Sequence, residues 1–196
     1  MPISWREKQK AELREHIYQV SLQLFRSKGY EGTTVDAIVK QAGVAKGTFF
    51  NYFKSKEYVI LEWYHQLMVD SLEWARTQTY ESTLSAILLP VEELAKRAES
   101  EPQLIAAKVT SARSNPLLNE EERQYDDQML TYFETHILNA QKQGEIGLDF
   151  DAGLMASTIL ATINGTGYEW KLLGRPFDLS KTMRERLEFI VRATTV

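Results

Sequence analysis

Residues 33–57 read TTVDAIVKQAGVAKGTFFNYFKSKE, and this stretch, from Thr33 to Glu57, decides the fold. Thr34 is a hydroxyl residue placed just before Val35, Ile38 and Val39, the pattern of an N-cap opening a short amphipathic helix. Gly43 can take the positive φ that lets a chain reverse sharply. A second short helix is expected from Ala45-Lys46 to Tyr52-Phe53. Two short helices joined by a three- to four-residue turn containing Gly make a helix-turn-helix. Ala37 is small enough for the second helix to cross closely, and Val44 plugs the angle. Ile38, Ala42, Phe49 and Phe53 are then left to form a seam with whatever precedes them.

What precedes them is a helix expected over Lys8–Lys28, with Leu13, Ile17, Val20, Leu24 and Phe25 at i, i+3/i+4 spacing and Gly29 as its stop. Downstream, Ser55 reads as the cap of a long fourth helix reaching Gln78. Further helices are expected at 82–100, 102–114, 119–143, 151–174 and 180–194. Pro90 falls inside one of them and predicts a kink. Asn115-Pro116 and Gly174-Arg175-Pro176 read as breaks. The fold class is therefore all-α, with about nine helices. The chain is expected to divide into a three-helix helix-turn-helix head at residues 1–54 and a helical body at residues 55–196.

The charge supports that division. The net charge of −4 conceals a head (1–56) at +5 and a remainder at −9. A basic head suits a polyanion and an acidic body does not. The chain has no cysteine, which excludes disulfides, thiolate metal sites and cysteine nucleophiles. The charged first fifteen residues do not read as a secretory signal, and no apolar run approaches the roughly 20 residues of a membrane span. A cytoplasmic protein with no membrane partner is expected.

Each residue on the polar side of the second short helix suits a reader of base edges. Lys46, Thr48, Asn51 and Tyr52 are compact, polar and capable of hydrogen bonding. Lys54 and Lys56 flank them.

The run G-T-T-V-x-x-I-x-x-x-A-G-V-A-x-G-T-F-x-x-Y-F-x-S-K-E, starting at Gly32, resembles the amino-terminal domain of TetR-family transcriptional regulators. The resemblance covers about residues 11–60. It implies that the third helix is the recognition helix. It further implies phosphate clamping by Thr34, Tyr52 and Lys56, and base-edge contacts from Lys46, Gly47, Thr48 and Asn51. At Phe50 the family usually carries Tyr, so the ring is kept for apolar contact while a hydroxyl is lost.

The same resemblance implies a body whose middle helices enclose a ligand and whose last two helices pair with a second subunit. On that basis Trp63, Tyr125, Tyr132, Phe133, Asn164 and Tyr168 are the candidate ligand residues. Glu169, His65 and His136 are further polar anchors. Met155, Ile159, Ile163, Leu187, Ile190 and Val191 are the candidate dimer residues. The partners expected are a double-stranded DNA operator, a second copy of the chain, and a small hydrophobic or aromatic effector. A two-fold dimer presents its reading helices about 34 Å apart and reads a palindrome. Ligand in the body is expected to tilt the fourth helix and change that spacing.

Two other readings stand beside this one. An enzyme is disfavoured: His16, His65 and His136 are scattered, and no nucleophile elbow, H-E-x-x-H or Gly-rich phosphate loop occurs. No catalytic residue, cofactor or metal is assigned, since the acids at 120–122 and 126–127 suit solvation and a helix start. A DNA-bound adaptor or activator working through a protein partner, without an effector, keeps the same fold.

Overall fold

The computed structural model describes residues 4–114, 118–174 and 177–194, and the side chains among them except at 112–114 and 118–125. The described residues form nine helices: α1 (Trp5–Lys28), α2 (Val35–Ala42), α3 (Lys46–Phe50), α4 (Lys56–Arg76), α5 (Thr83–Ser100), α6 (Pro102–Ser114), α7 (Leu118–Gln143), α8 (Ala152–Leu172) and α9 (Leu179–Arg192). Tyr125 and both Pro-containing breaks, at 115–116 and 175–176, lie outside the described residues or side chains.

The helix starts and stops follow local chemistry. α1 opens three residues before the expected Lys8 because Ser4 and Glu7 form a reciprocal capping box. Thr34 caps α2 as expected, its hydroxyl accepting from the Ala37 N–H at 3.1 Å. Asp151 and Asp178 cap α8 and α9 in the same way. Pro90 lies inside α5 without ending it.

The chain divides into two compact units. The first comprises Met1–Tyr64 with Glu101–Leu118, and the second His65–Ser100 with Asn119–Val196. This is not the division expected at 54/55. α6 joins the first unit because it packs on α1, where Arg26 grips Glu101 through two bonds of 2.9 and 2.7 Å. The early turns of α4 also belong there, with Arg14 donating to Glu62 from α1. α4 thus contributes to both units.

The first unit is centred on α1. Its buried Ile17, Val20, Leu24 and Phe25 meet Ile38, Phe49 and Phe53, all between 0 and 8% exposed. The second unit is cored by Ile87 and Val91 of α5, Met129, Phe133 and Ile137 of α7, Ile159 of α8 and Leu187 of α9. Each such side chain contributes about 1.5–3 kcal/mol on burial.

Candidate nucleic-acid interface

The turn between α2 and α3 is closed by Gly43 at φ 68° and ψ 30°. The Val44 N–H returns to the Val39 carbonyl at 3.0 Å, satisfying one of the open carbonyls at the end of α2. On the inner side, Phe49 is 0% exposed and packs 5.7 Å from the Phe53 ring. With that face anchored, α3 turns Lys46, Gly47 and Phe50 outward, followed by Asn51. A Cβ at Gly47 meets nothing within 4 Å, so the backbone here is open to a close approach.

The expected DNA set falls into two groups. Thr34, Lys46, Gly47, Phe50 and Asn51 are exposed, and Thr48 and Tyr52 are half-buried beside them. Lys46 pairs with Asp36 at 2.8 Å, with both side chains more than half exposed. A pair of that kind is worth little in water and gives way readily to a phosphate or base edge. Phe50 is 48% exposed and stands edge-on to Phe49, an apolar face suited to a thymine methyl.

Lys56 is placed differently. Its Nζ donates to the carbonyls of Tyr30 (2.8 Å) and Thr33 (2.9 Å) and lies 4.2 Å from the centre of the Tyr30 ring. The Tyr30 hydroxyl donates to Glu57 Oε1 at 2.7 Å, and burial and this bond keep the phenol protonated. Burial alone would raise the Glu57 carboxyl, but hydrogen bonding, including that from the Tyr30 hydroxyl, outweighs it and holds the group below its ordinary range. Thr33 is fully buried, its hydroxyl donating to the Gly29 carbonyl at 2.7 Å. Sequence reasoning missed Tyr30, Thr33 and Glu57. It also missed a groove of about 580 Å³ lined by Arg6, Gln9, Lys10, Glu12, Leu13, His16 and Tyr52. The basic residues of α1 were visible, but their approach to Tyr52 is a product of folding.

In the second unit, Tyr132 and His136 sit one helical turn apart on α7, their rings 4.5 Å apart. They line a groove of about 470 Å³ together with Arg76, Asp127, Gln128, Thr131 and Thr135. Burial lowers the His136 pKa. The other ligand candidates do not gather here. Phe133 is wholly in the core of this unit, while Asn164 and Tyr168 are on the exposed side of α8. Trp63 is buried in the first unit. Glu169 is held by Arg186 at 2.7 Å.

Most of the candidate dimer residues turn inward. Met155, Ile159, Ile163, Leu187 and Val191 are at most 6% exposed in the single chain, and Ile190 is half-buried. They lie in the core of the second unit, and Ile190 alone of the six keeps open surface. The outward side of α8 instead carries Leu154 (68% exposed), Thr158, Ala161, Gly165, Tyr168 and Leu172 (62%). α9 adds Phe189, at 78% exposure the most open of its apolar residues.

Comparison with known proteins places these features. Residues 17–62 match the family model described as bacterial regulatory proteins, tetR family. The chain is 25% identical over 187 residues to the fatty acid metabolism regulator protein of Bacillus subtilis (strain 168), covering 94% of this chain and 96% of that one. The structure resembles FadR from Thermus thermophilus in complex with lauroyl-CoA, described as a TetR-family transcriptional repressor. The TM-score is 0.79 at 24% identity, covering 93% of this chain and 95% of that one. It also resembles the transcriptional regulator FadR from Bacillus subtilis in complex with stearoyl-CoA, with a TM-score of 0.74 at 23% identity over 90% and 97% of the two chains. These likenesses establish the fold. Among the described residues, no helix is long and apolar enough to cross a membrane.

Proposed function

We propose that this chain, a member of the TetR family of bacterial regulatory proteins, is a dimeric repressor that reads a palindromic operator and releases it on binding a long-chain acyl-CoA. It is a transcriptional regulator and not an enzyme. The observation that carries the effector class is the reach of the likeness. The fatty acid metabolism regulator aligns across 94% of this chain, well beyond the DNA-binding head and into the body that would meet the ligand. The ligands named with the two FadR structures, stearoyl-CoA and lauroyl-CoA, are both acyl-CoA thioesters.

The reading of DNA rests on α3, whose Lys46, Gly47, Phe50 and Asn51 are exposed on a helix fixed from behind by Phe49. The dimer rests on α8. Leu154, Thr158, Ala161, Gly165, Tyr168 and Leu172 alternate at four- and three-residue spacing, which keeps one face toward a packed neighbour along the helix. A Cβ at Gly165 would meet nothing within 4 Å, so a second helix can approach closely there.

Release follows from linkage. Ligand that binds better to the state with mis-spaced heads lowers operator affinity by the ratio of its two affinities. An acyl chain of about a dozen carbons offers on the order of 9 kcal/mol of transfer energy before the costs of binding. A modest part of that, expressed differently in the two states, is sufficient. α4, whose residues belong to both units, is the element through which the change passes.

The test is operator affinity with saturating lauroyl-CoA or stearoyl-CoA, against coenzyme A and free laurate. A loss of about tenfold or more with the thioesters only, a coupling of about 1.4 kcal/mol, is expected. An unchanged dissociation constant with both thioesters rules out this effector class.

A further inference from the structure

We propose that Lys56 is a positioning residue for DNA binding: it locks the turn between α1 and α2 and does not neutralise a phosphate. The proposal rests on the reading of the first unit as a DNA-binding head. A lysine at the mouth of a basic helix-turn-helix is naturally taken as a phosphate ligand, as the family resemblance implied here.

The geometry assigns it other work. An ammonium has three N–H donors. Two of those at Lys56 are spent on the Tyr30 and Thr33 carbonyls, at 2.8 and 2.9 Å, and the Tyr30 ring face lies 4.2 Å away. The next residue, Glu57, accepts from the Tyr30 hydroxyl at 2.7 Å. The first turn of α4 therefore holds both the backbone and the side chain of the segment between Gly29 and Thr34. The Thr33 hydroxyl secures the other end of that segment to Gly29.

Thr34 follows directly and caps α2. Its exposed position, and the direction of the free N–H groups at the start of α2, are set by where Tyr30 and Thr33 lie. Lys56 thus acts on DNA through Thr34.

A salt titration separates the two roles. A lysine that neutralises a phosphate contributes about 0.9 to the slope of log affinity against log salt. Operator affinity is measured across salt concentrations for the wild type, Lys56→Met, Thr34→Ala and the double variant, with circular dichroism confirming that each is folded. Lys56→Met is expected to lose about tenfold in affinity, the size of broken charge-assisted hydrogen bonds, with the salt slope unchanged. The double variant is expected to lose no more than the worse single one, because the two residues act on one contact. A slope reduced by about 0.9 with additive losses would show a phosphate ligand and overturn the proposal. Unchanged affinity in folded Lys56→Met would also overturn it, leaving Lys56 a fold-stabilising residue only.

If Lys56→Met does not fold, Tyr30→Phe removes the bond to Glu57 without touching any charge. It is expected to weaken binding at unchanged slope, and wild-type affinity in that variant contradicts the lock. Failure of the wild type to prefer any sequence would strike the operator reading alone, since the salt slope is measurable on any duplex.

Discussion

The Tyr132 hydroxyl donates to the Ala86 carbonyl at 3.0 Å, across from α7 to α5, and Ala86 is the residue whose helical partner is missing. In a regular helix that carbonyl accepts from the residue four positions on, which here is Pro90, with no N–H to give. Tyr132 therefore fills a vacancy that proline creates in a buried helix. The Tyr80 hydroxyl stands 3.1 Å from that of Tyr132 and 2.5 Å from the Ala75 carbonyl, extending the polar contact toward the end of α4.

This relationship predicts a specific pattern of stability. Tyr132→Phe leaves the Ala86 carbonyl unsatisfied and is expected to cost about 1–3 kcal/mol. Pro90→Ala restores an N–H at the right position, so the double variant is expected to recover part of that loss. Urea unfolding of the two single variants and the double variant measures the coupling. Strict additivity of the two changes contradicts the account.

His136 sets a pH dependence. Burial lowers its pKa from the ordinary 6.5, so the folded protein prefers the neutral ring while the unfolded chain protonates near 6.5. Between those values the unfolded state binds more protons, and stability falls as pH drops through that window. In His136→Phe this component is removed. Thermal unfolding from pH 7.5 downward is expected to give a shallower decline near pH 6 in the variant, and superimposable declines would count against a buried neutral His136.

Phe49 and Phe50 are neighbours with opposite roles. Phe49 is 0% exposed and Phe50 48%. Phe49→Ala is expected to cost about 3–5 kcal/mol of stability, as for a large core deletion. Phe50→Ala is expected to stay within about 0.5 kcal/mol of the wild type in stability while weakening operator binding. Paired melting and binding curves check both halves of this contrast.

The proposed dimer uses the outward stripe of α8, so charges there are expected to break it. Tyr168→Glu and Phe189→Glu place charges on exposed apolar positions and are expected to yield folded monomers by sedimentation equilibrium. Ile159→Glu, at a site with 0% exposure, is expected to unfold the subunit instead. Dimers persisting in both surface variants would place the interface elsewhere.

Much of the head was legible in the sequence because its determinants are local. Thr34 before an apolar run, Gly43 between two short amphipathic segments, and Phe49 with Phe53 at helical spacing each act over a few residues. The start of α1 was equally local, a Ser4-x-x-Glu7 capping box, and was overlooked among the surrounding charges. The two faces of α8 were not separable from the sequence. Met155, Ile159 and Ile163 make a plausible stripe, but so do Leu154, Ala161, Tyr168 and Leu172, and only packing against α9 decides which turns inward. The same limit hid the role of Lys56, whose partners are backbone carbonyls more than twenty residues away. A carbonyl is present at every residue, so nothing in the side-chain pattern marks it.

In the proposed function, α3 reads DNA sequence as part of a two-fold dimer. Its most direct test is selection of genomic fragments by the purified protein at about physiological salt, followed by sequencing, with Lys46→Ala and Asn51→Ala in parallel. Enrichment of a palindromic motif by the wild type, and its loss in both variants, is expected. Salt-sensitive retention of all fragments alike, unchanged by either substitution, would contradict it and leave a basic head that binds without reading.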